Sequence, residues 1–166
     1  KIAHNLKFDY KILKQYNVNI EGAMFDTMIA HYLLNPDGRH GMDYLSEMYL
    51  NYIPVSIESI IGKKGKNQGT FRDADLLTQT EYAAEDADVT FQLYELFAPQ
   101  LKKENLEDLF FKVEMPLMVV LAKMELEGVS LDKNWLEKES IDLENDLRNL
   151  EKTIFEISGE EFNMNS

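Results

Sequence analysis

Apolar positions along this chain recur mostly at helical spacing, in runs broken by short polar or glycine-containing segments. Ile12, Leu13 and Tyr16 share one face of a predicted helix that runs from Asn5, a candidate N-cap, to about Tyr16. Ala23-Met24-Phe25 reads as a short strand. It enters a helix near Asp26-Thr27 that carries Met28, Ile29, Tyr32 and Leu33 and stops at Asn35-Pro36-Asp37-Gly38. A helix from about Met42 to Leu50 follows, then a break at Pro54 and another turn or two through Ile57, Ile60 and Ile61. Gly62 to Gly69 has no apolar period and reads as a loop. A long helix is predicted from Leu76 or Thr80 to Phe97, ending before Pro99.

The remainder is helical in pattern too. Val113, Leu117, Val120, Leu121 and Met124 form one stripe, and Gly128 stands where a helix C-terminal glycine belongs. Val129-Ser130-Leu131 reads as extended and is a candidate partner for Phe162 to Met164 in a small antiparallel ribbon. Asp132 can cap the next helix, in which Leu136, Leu143, Leu147, Leu150, Ile154 and Ile157 are spaced as a heptad seam. That seam fits a core face or a coiled-coil-like hairpin with the preceding helix. Gly159 ends it.

Composition narrows the class. The 166 residues are 45% apolar and 28% charged, as in ordinary globular proteins, and contain no cysteine. A disulfide framework and a Cys-type zinc site are therefore excluded. No apolar run approaches the ~20 residues needed to span a bilayer, so no membrane partner is expected. The net charge of −13 argues against a protein that coats nucleic acid with a basic surface. It leaves room for an enzyme that meets phosphate through metal ions, because such sites are built from carboxylates. The charge is also uneven. Residues 1–104 carry 15 acidic and 11 basic side chains, and residues 105–166 carry 15 and 6. This shift, at the polar stretch Lys102-Lys103-Glu104-Asn105, predicts two domains, 1–104 and 105–166.

Two carboxylates sit one helical turn from a polar partner. Asn5 and Asp9 are four apart, as are Tyr82 and Asp86, and small Ala83 and Ala84 admit close approach of another element. Singly, each pair reads as well as a solvated acidic face beside a half-buried aromatic. Lys63, Lys64, Lys66 and Arg72 make a basic, glycine-flanked loop in an acidic chain. It fits a solvated mobile segment or a sequence-independent contact with single-stranded phosphate backbone. His4, His31 and His40 show no ligand spacing and read as structural or surface residues.

Taken in order, several segments resemble one family. Asn5-Leu6-Lys7-Phe8-Asp9, Phe25-Asp26-Thr27-Met28, Gly38-Arg39-His40, Gly65-Lys66-Asn67-Gln68 and Tyr82-Ala83-Ala84-Glu85-Asp86-Ala87-Asp88-Val89-Thr90 resemble the later motifs of a proofreading domain. That domain is the 3′–5′ exonuclease of the bacterial DNA polymerase I family (family A). Glu114-Met115-Pro116-Leu117 and Gly159-Glu160-Glu161-Phe162-Asn163 are similar to the start of that family's polymerase domain. The resemblance covers essentially the whole chain.

It implies an α/β, ribonuclease-H-like parent fold. This chain would hold a truncated, mostly α-helical part of it with a small β component, followed by long polymerase-domain helices. The implied chemistry is phosphodiester hydrolysis with two Mg²⁺ or Mn²⁺ ions, which prefer oxygen ligands. By resemblance Asp86 would ligate the metal that binds the nucleophilic water, and Asp9 would hold the second. Tyr82 would orient the attacking water, and Asn5 would position the scissile end of the strand. Lys7 and Arg39, with Lys63, Lys64 and Lys66, would lie along single-stranded DNA. Asp26 fits a helix N-cap better than a catalytic role. Implied partners are a single-stranded 3′ end and, in the full protein, primer–template and dNTPs, all in the bacterial cytoplasm.

The departure from the family is at its first motif. No Asp-x-Glu pair precedes Asn5, and the Asp-x-Asp pairs at Asp73 and Asp86 come later. The expectation is a fragment that begins after that motif. It would lack two of four metal ligands, bind metal weakly, leave DNA uncleaved and self-associate over bared apolar surface. A ribonuclease-D-like 3′–5′ exoribonuclease shares the Tyr-x-x-x-Asp arrangement, and residues 113–163 disfavour it. A non-catalytic exonuclease-like scaffold is disfavoured by the presence of Asp9, Tyr82 and Asp86.

Overall fold

Two strands of two residues each make the sheet of this protein: β1 (Ile2–Ala3) and β2 (Phe25–Asp26) pair in parallel, Ile2 with Phe25 and Ala3 with Asp26. The computed structural model describes residues 1–164. β1 was not foreseen, because two residues carry no period. Parallel neighbours need a crossover, and α1 (Leu6–Gln15) supplies it. Eight α-helices occur among the described residues, in the order α1, α2 (Thr27–Leu34), α3 (Met42–Leu45), α4 (Ile57–Ile61), α5 (Leu76–Lys103), α6 (Glu107–Leu109), α7 (Met115–Glu127) and α8 (Lys133–Ser158). The mostly helical chain with a small β component expected from sequence is what the structure shows.

The start of α1 differs from the expectation. Asn5 is in the left-handed region at φ 63° and its side chain makes no capping hydrogen bond. Asp26 caps instead. Its buried carboxylate accepts the N–H groups of Asn5 (3.2 Å) and Leu6 (2.7 Å) at the head of α1. It also accepts those of Met28 (2.8 Å) and Ile29 (3.2 Å) at the head of its own helix, α2. One carboxylate thus satisfies orphan donors of two helices and ties both to the sheet.

Further along, the helix from Met42 continues through a π-helical turn, Ser46–Leu50, before Asn51 closes it at φ 51°. Residues 62–69 form the expected loop, closed by Gly69 N–H on the Ile61 carbonyl at 2.8 Å. α5 corrects the sequence reading: it passes through Pro99 and ends at Lys103. A proline inside a helix costs ~3 kcal/mol. Phe97 and Leu101 flank it, both fully buried, and each contributes about 1.5–3 kcal/mol by leaving water. Their burial outweighs the break.

The chain divides into two compact units, Lys1–Glu127 and a second beginning at Gly128. In the first, Leu6, Phe25, Ala30, Leu45, Val89, Leu93, Phe97, Leu101, Phe110, Met115 and Met118 make one core. α6 and α7 pack into that core although they follow the charge shift at residue 105. The face of α7 also departs from expectation. Met115, Met118 and Ala122 are buried, whereas Val113, Leu117, Val120, Leu121 and Met124 are exposed. The helix is apolar nearly all round, so periodicity alone could not choose the inner face.

In the second unit, Asp132 caps α8 by accepting the Trp135 N–H at 2.9 Å. Gly159 at φ 74° terminates it in the left-handed conformation that favours glycine. All six seam residues, Leu136, Leu143, Leu147, Leu150, Ile154 and Ile157, are exposed rather than forming a core face. Residues 129–131 and 162–164 form no ribbon. No helix is long and apolar enough to cross a membrane among the described residues.

Candidate active site

α1 and α5 each present one acid to a common cleft. Asp9, on the first turn of α1, and Asp86, near the middle of α5, line an open depression of about 400 Å³ beside β1, with His4, Met42 and Thr90. α5 packs on β1, and the Asp26 cap fixes α1 to the same sheet. The two carboxylates are 77 positions apart in sequence, and this packing brings them to one place.

Both carboxylates are held in an environment that disfavours their charge. Burial raises the pKa of Asp9, and the charge of Asp26 adds to the rise. Burial raises that of Asp86 as well; the Tyr82 hydroxyl beside it works the other way, and Glu85 adds repulsion. Neither acid is in an ion pair with Lys or Arg among the described residues. Burial and Asp86 raise the pKa of Tyr82 in turn, which keeps its phenol protonated as a donor. The ring of Tyr82 is held by Phe71 at 5.4 Å between centroids. Phe71 opens the 3₁₀ turn Phe71–Asp73, which a Thr70–Asp73 capping box closes just after the basic loop.

Asp86 and Met42 also line a second cleft of about 460 Å³, which contains Arg39, Tyr82, Pro54 and Ile57. Asp86 and Met42 line both clefts, so the groove that holds Arg39 and Tyr82 adjoins the one that Asp9 lines. The wall formed by residues 52–55 is strapped to α5 through Glu85. Its carboxylate accepts the Tyr52 hydroxyl at 2.5 Å and the Val55 N–H at 2.9 Å.

Other candidates lie elsewhere. Asn5, outside the helix and exposed, borders a separate depression with Lys7, Asp26 and Leu117, so it does not share the face of Asp9. Lys7 and Lys11 are both engaged by Glu125, at 2.6 and 2.5 Å. Lys63, Lys64 and Lys66 are exposed on the loop after α4.

Two groups were not singled out from sequence. Glu85 is one: nothing in its spacing tells a strap from a solvated acid. The histidines are the other. His4 borders the Asp9–Asp86 cleft, its Nδ1 is 2.9 Å from the Thr27 hydroxyl, and its buried Nε2 has no hydrogen-bond partner. His31 is buried and bonds to both His40 and Tyr49.

A family model described as 3′–5′ exonuclease, of the DNA polymerase A group, matches residues 1–102. The chain belongs to this exonuclease family. It is 40% identical over 167 residues to DNA polymerase I of Rhizobium leguminosarum, covering 100% of this chain and 16% of that protein. It is 38% identical over 165 residues to DNA polymerase I of Borreliella burgdorferi, covering 99% and 18%. The chain thus spans less than a fifth of the length of these curated relatives. The POL domain of Pol1 from M. smegmatis, solved with DNA primer-template and dNTP, matches with a TM-score of 0.74 at 21% identity. That match covers 100% of this chain and 26% of the other, and it shows a shared fold.

The exonuclease family implies divalent metal, so the donor set can be tested for fit. No group of three or more His, Asp or Glu able to hold a metal ion occurs among the described residues. The cleft offers two carboxylates. Mg²⁺ is commonly held by one or two carboxylates together with water and substrate phosphate. The pair fits a cation that substrate and further oxygens help to hold, and it does not fit an all-protein cage.

Proposed function

We propose that this chain is the later part of a proofreading 3′–5′ exonuclease, residues 1–104, joined to the start of a DNA polymerase, residues 105–166. The observation that carries the reading is the pair of clefts that meet at Asp86. Two partly desolvated carboxylates from different helices, Asp9 and Asp86, line one cleft, and Asp86 also lines the adjoining cleft with a protonated Tyr82 and with Arg39. The family-model span of 1–102 supports the placement of the exonuclease segment.

In the parent enzyme, Asp9 and Asp86 would hold Mg²⁺ or Mn²⁺, which would supply Lewis acidity for water activation and for the leaving oxygen. Tyr82 donates its hydroxyl proton to orient the attacking water in line with the phosphorus. Arg39 binds the phosphate backbone at the edge of the groove, and Lys63, Lys64 and Lys66 extend that contact along a single-stranded 3′ end. Asn5 and Lys7 border the strand on the far side of α1, with Lys7 exchanging Glu125 for phosphate. An exposed pair of this kind is worth ~1 kcal/mol or less, so the exchange is cheap. Primer–template and dNTPs are the substrates of the adjoining polymerase, which works in the bacterial cytoplasm.

Two carboxylates are half of the family's acidic set, so the 166-residue chain alone should be inactive. A labelled single-stranded oligonucleotide incubated with it and Mg²⁺ or Mn²⁺ should stay intact. A longer version carrying an upstream Asp-x-Glu pair should shorten the strand from its 3′ end. Degradation by the short chain, or none by the long one, contradicts the reading. The exposed seam of α8 and the outer face of α7 support self-association of the short chain. A monomeric mass by sedimentation at the highest soluble concentration would contradict that part.

A further inference from the structure

The Arg39-His40-Gly41 segment that carries the cationic edge of the groove lies in a loop between α2 and α3, with no regular structure of its own. Its attachment is at His40. The Nδ1 atoms of His40 and His31 are 2.7 Å apart, and the two rings meet edge to face at 4.9 Å. His31 is 1% exposed on α2, its Nε2 lies 3.0 Å from the Tyr49 hydroxyl, and Phe97 of α5 covers its ring at 5.4 Å. The anchor is therefore buried on three sides, and Arg39 is the residue next to the one it holds.

A bond between two imidazole nitrogens needs one N–H and one lone pair. If His31 and His40 each carry two ring protons, both Nδ1 atoms are donors and the bond is replaced by repulsion between two cations. We infer that His31 is a positioning residue: through His40 it holds Arg39 at the groove, and it does so only while the histidine pair keeps a neutral ring. The inference rests on the reading of Arg39 as a strand-binding residue.

The groups facing His31 support neutrality. Burial is the main cause that lowers its pKa from the ordinary 6.5, and the charges of His40 and His4 act in the same direction. Tyr49 faces it from the π-helical turn and Phe97 from α5, and Tyr32 of its own helix packs on His40 at 5.5 Å. Asp26 and Asp43 act on His4, not on His31. The sign follows. With the folded pKa of His31 lowered, the pair keeps a neutral ring above 6.5, and the anchor is lost only when the pH has fallen through the lowered value with both rings protonated.

The test is ¹⁵N NMR relaxation of the His40 and Gly41 amides in this 166-residue chain, with the ring nitrogens of both His31 and His40 followed over pH 7.5 to 4.5. The wild type should be ordered at pH 7.5, with an order parameter of about 0.85, and fall below about 0.6 once both rings are protonated. His31→Gln keeps an amide oxygen and takes no charge, so the loop should stay ordered across the range. His31→Phe keeps the ring volume without the bonds, so the loop should be mobile at every pH. An ordered loop in His31→Phe, or in wild type after both His31 and His40 are shown to be protonated, overturns the inference. The wild-type titration stands even if a variant does not fold.

Anisotropy with a short oligodeoxythymidylate separates this from the functional reading. Arg39→Ala should weaken binding about tenfold, as loss of one charge-assisted contact does. If Arg39→Ala binds as well as wild type while the loop behaves as described, the strand-binding reading fails and the anchor stands.

Discussion

The Asp26 carboxylate lies 2.7 Å from the N–H of Leu6, twenty positions earlier in the chain, and that bond joins the helix carrying Asp9 to the strand that begins α2. Asp26 is 2% exposed and accepts four backbone donors in all. Its removal should open both helix heads together. Asp26→Ala is predicted to cost about 3 kcal/mol or more in urea unfolding, since buried donors are left unmet at two caps. A loss below about 1 kcal/mol, the size of a single ordinary cap, would show that the double cap carries little.

Asp9 and Asp86 should lower stability at neutral pH. Their folded pKa values are raised above the ordinary 3.8. The stability they contribute is complete below that value and is lost as the pH rises through the raised ones. Asp86→Asn should therefore be more stable than wild type at pH 7 and equal to it near pH 3. Both acids are half-buried beside an open cleft, so the gain after solvent screening should be of order 0.5 kcal/mol. Thermal unfolding of both proteins at the two pH values measures it; a destabilised variant at pH 7 would mean the charge is compensated after all.

Replacing Lys63, Lys64 and Lys66 by Gln should flatten the salt dependence of single-strand binding. Each phosphate contact on a single strand contributes about −0.7 to the slope of log K against log salt, so the slope should fall by up to about 2. An unchanged slope returns the loop to a solvated segment with no role in binding.

Phe110 tests how far the first compact unit extends. It is fully buried and its ring lies 4.6 Å from that of Phe25. Phe110→Ala should cost about 3–5 kcal/mol. Amide exchange should accelerate in α2 and α5 as well as in α6 and α7. Faster exchange confined to residues beyond 105 would show that those helices are energetically separate.

Local rules made much of this legible. Asp26 and Asp132 cap helices as their positions suggest, and Gly128 and Gly159 take the left-handed geometry expected of helix ends. The i, i+4 pair Tyr82 and Asp86 could be read because a helix puts them on one face. Tertiary relationships were not legible. The apolar excess of α7 concealed its inner face, and Pro99 concealed the last turn of α5, which buried Leu101 sustains. Asn5 reads as a cap by its residue type, yet a carboxylate from β2 takes that place. His4, His31 and His40 have no periodicity in sequence, and α2, β1 and the loop before α3 bring them together only on folding. Glu85 is distinguished from any exposed acid only by Tyr52 and Val55, thirty and more positions away.

The central claim is that Asp86 holds catalytic metal in a proofreading site. The most direct measurement uses a longer version of the chain that spans both activities, with Asp86→Ala as the single change. Removal of a mismatched 3′ terminus should disappear in the presence of Mg²⁺, while extension of a matched primer continues at the wild-type rate. If the variant still trims the mismatch, Asp86 is not the ligand and the proposed site is wrong.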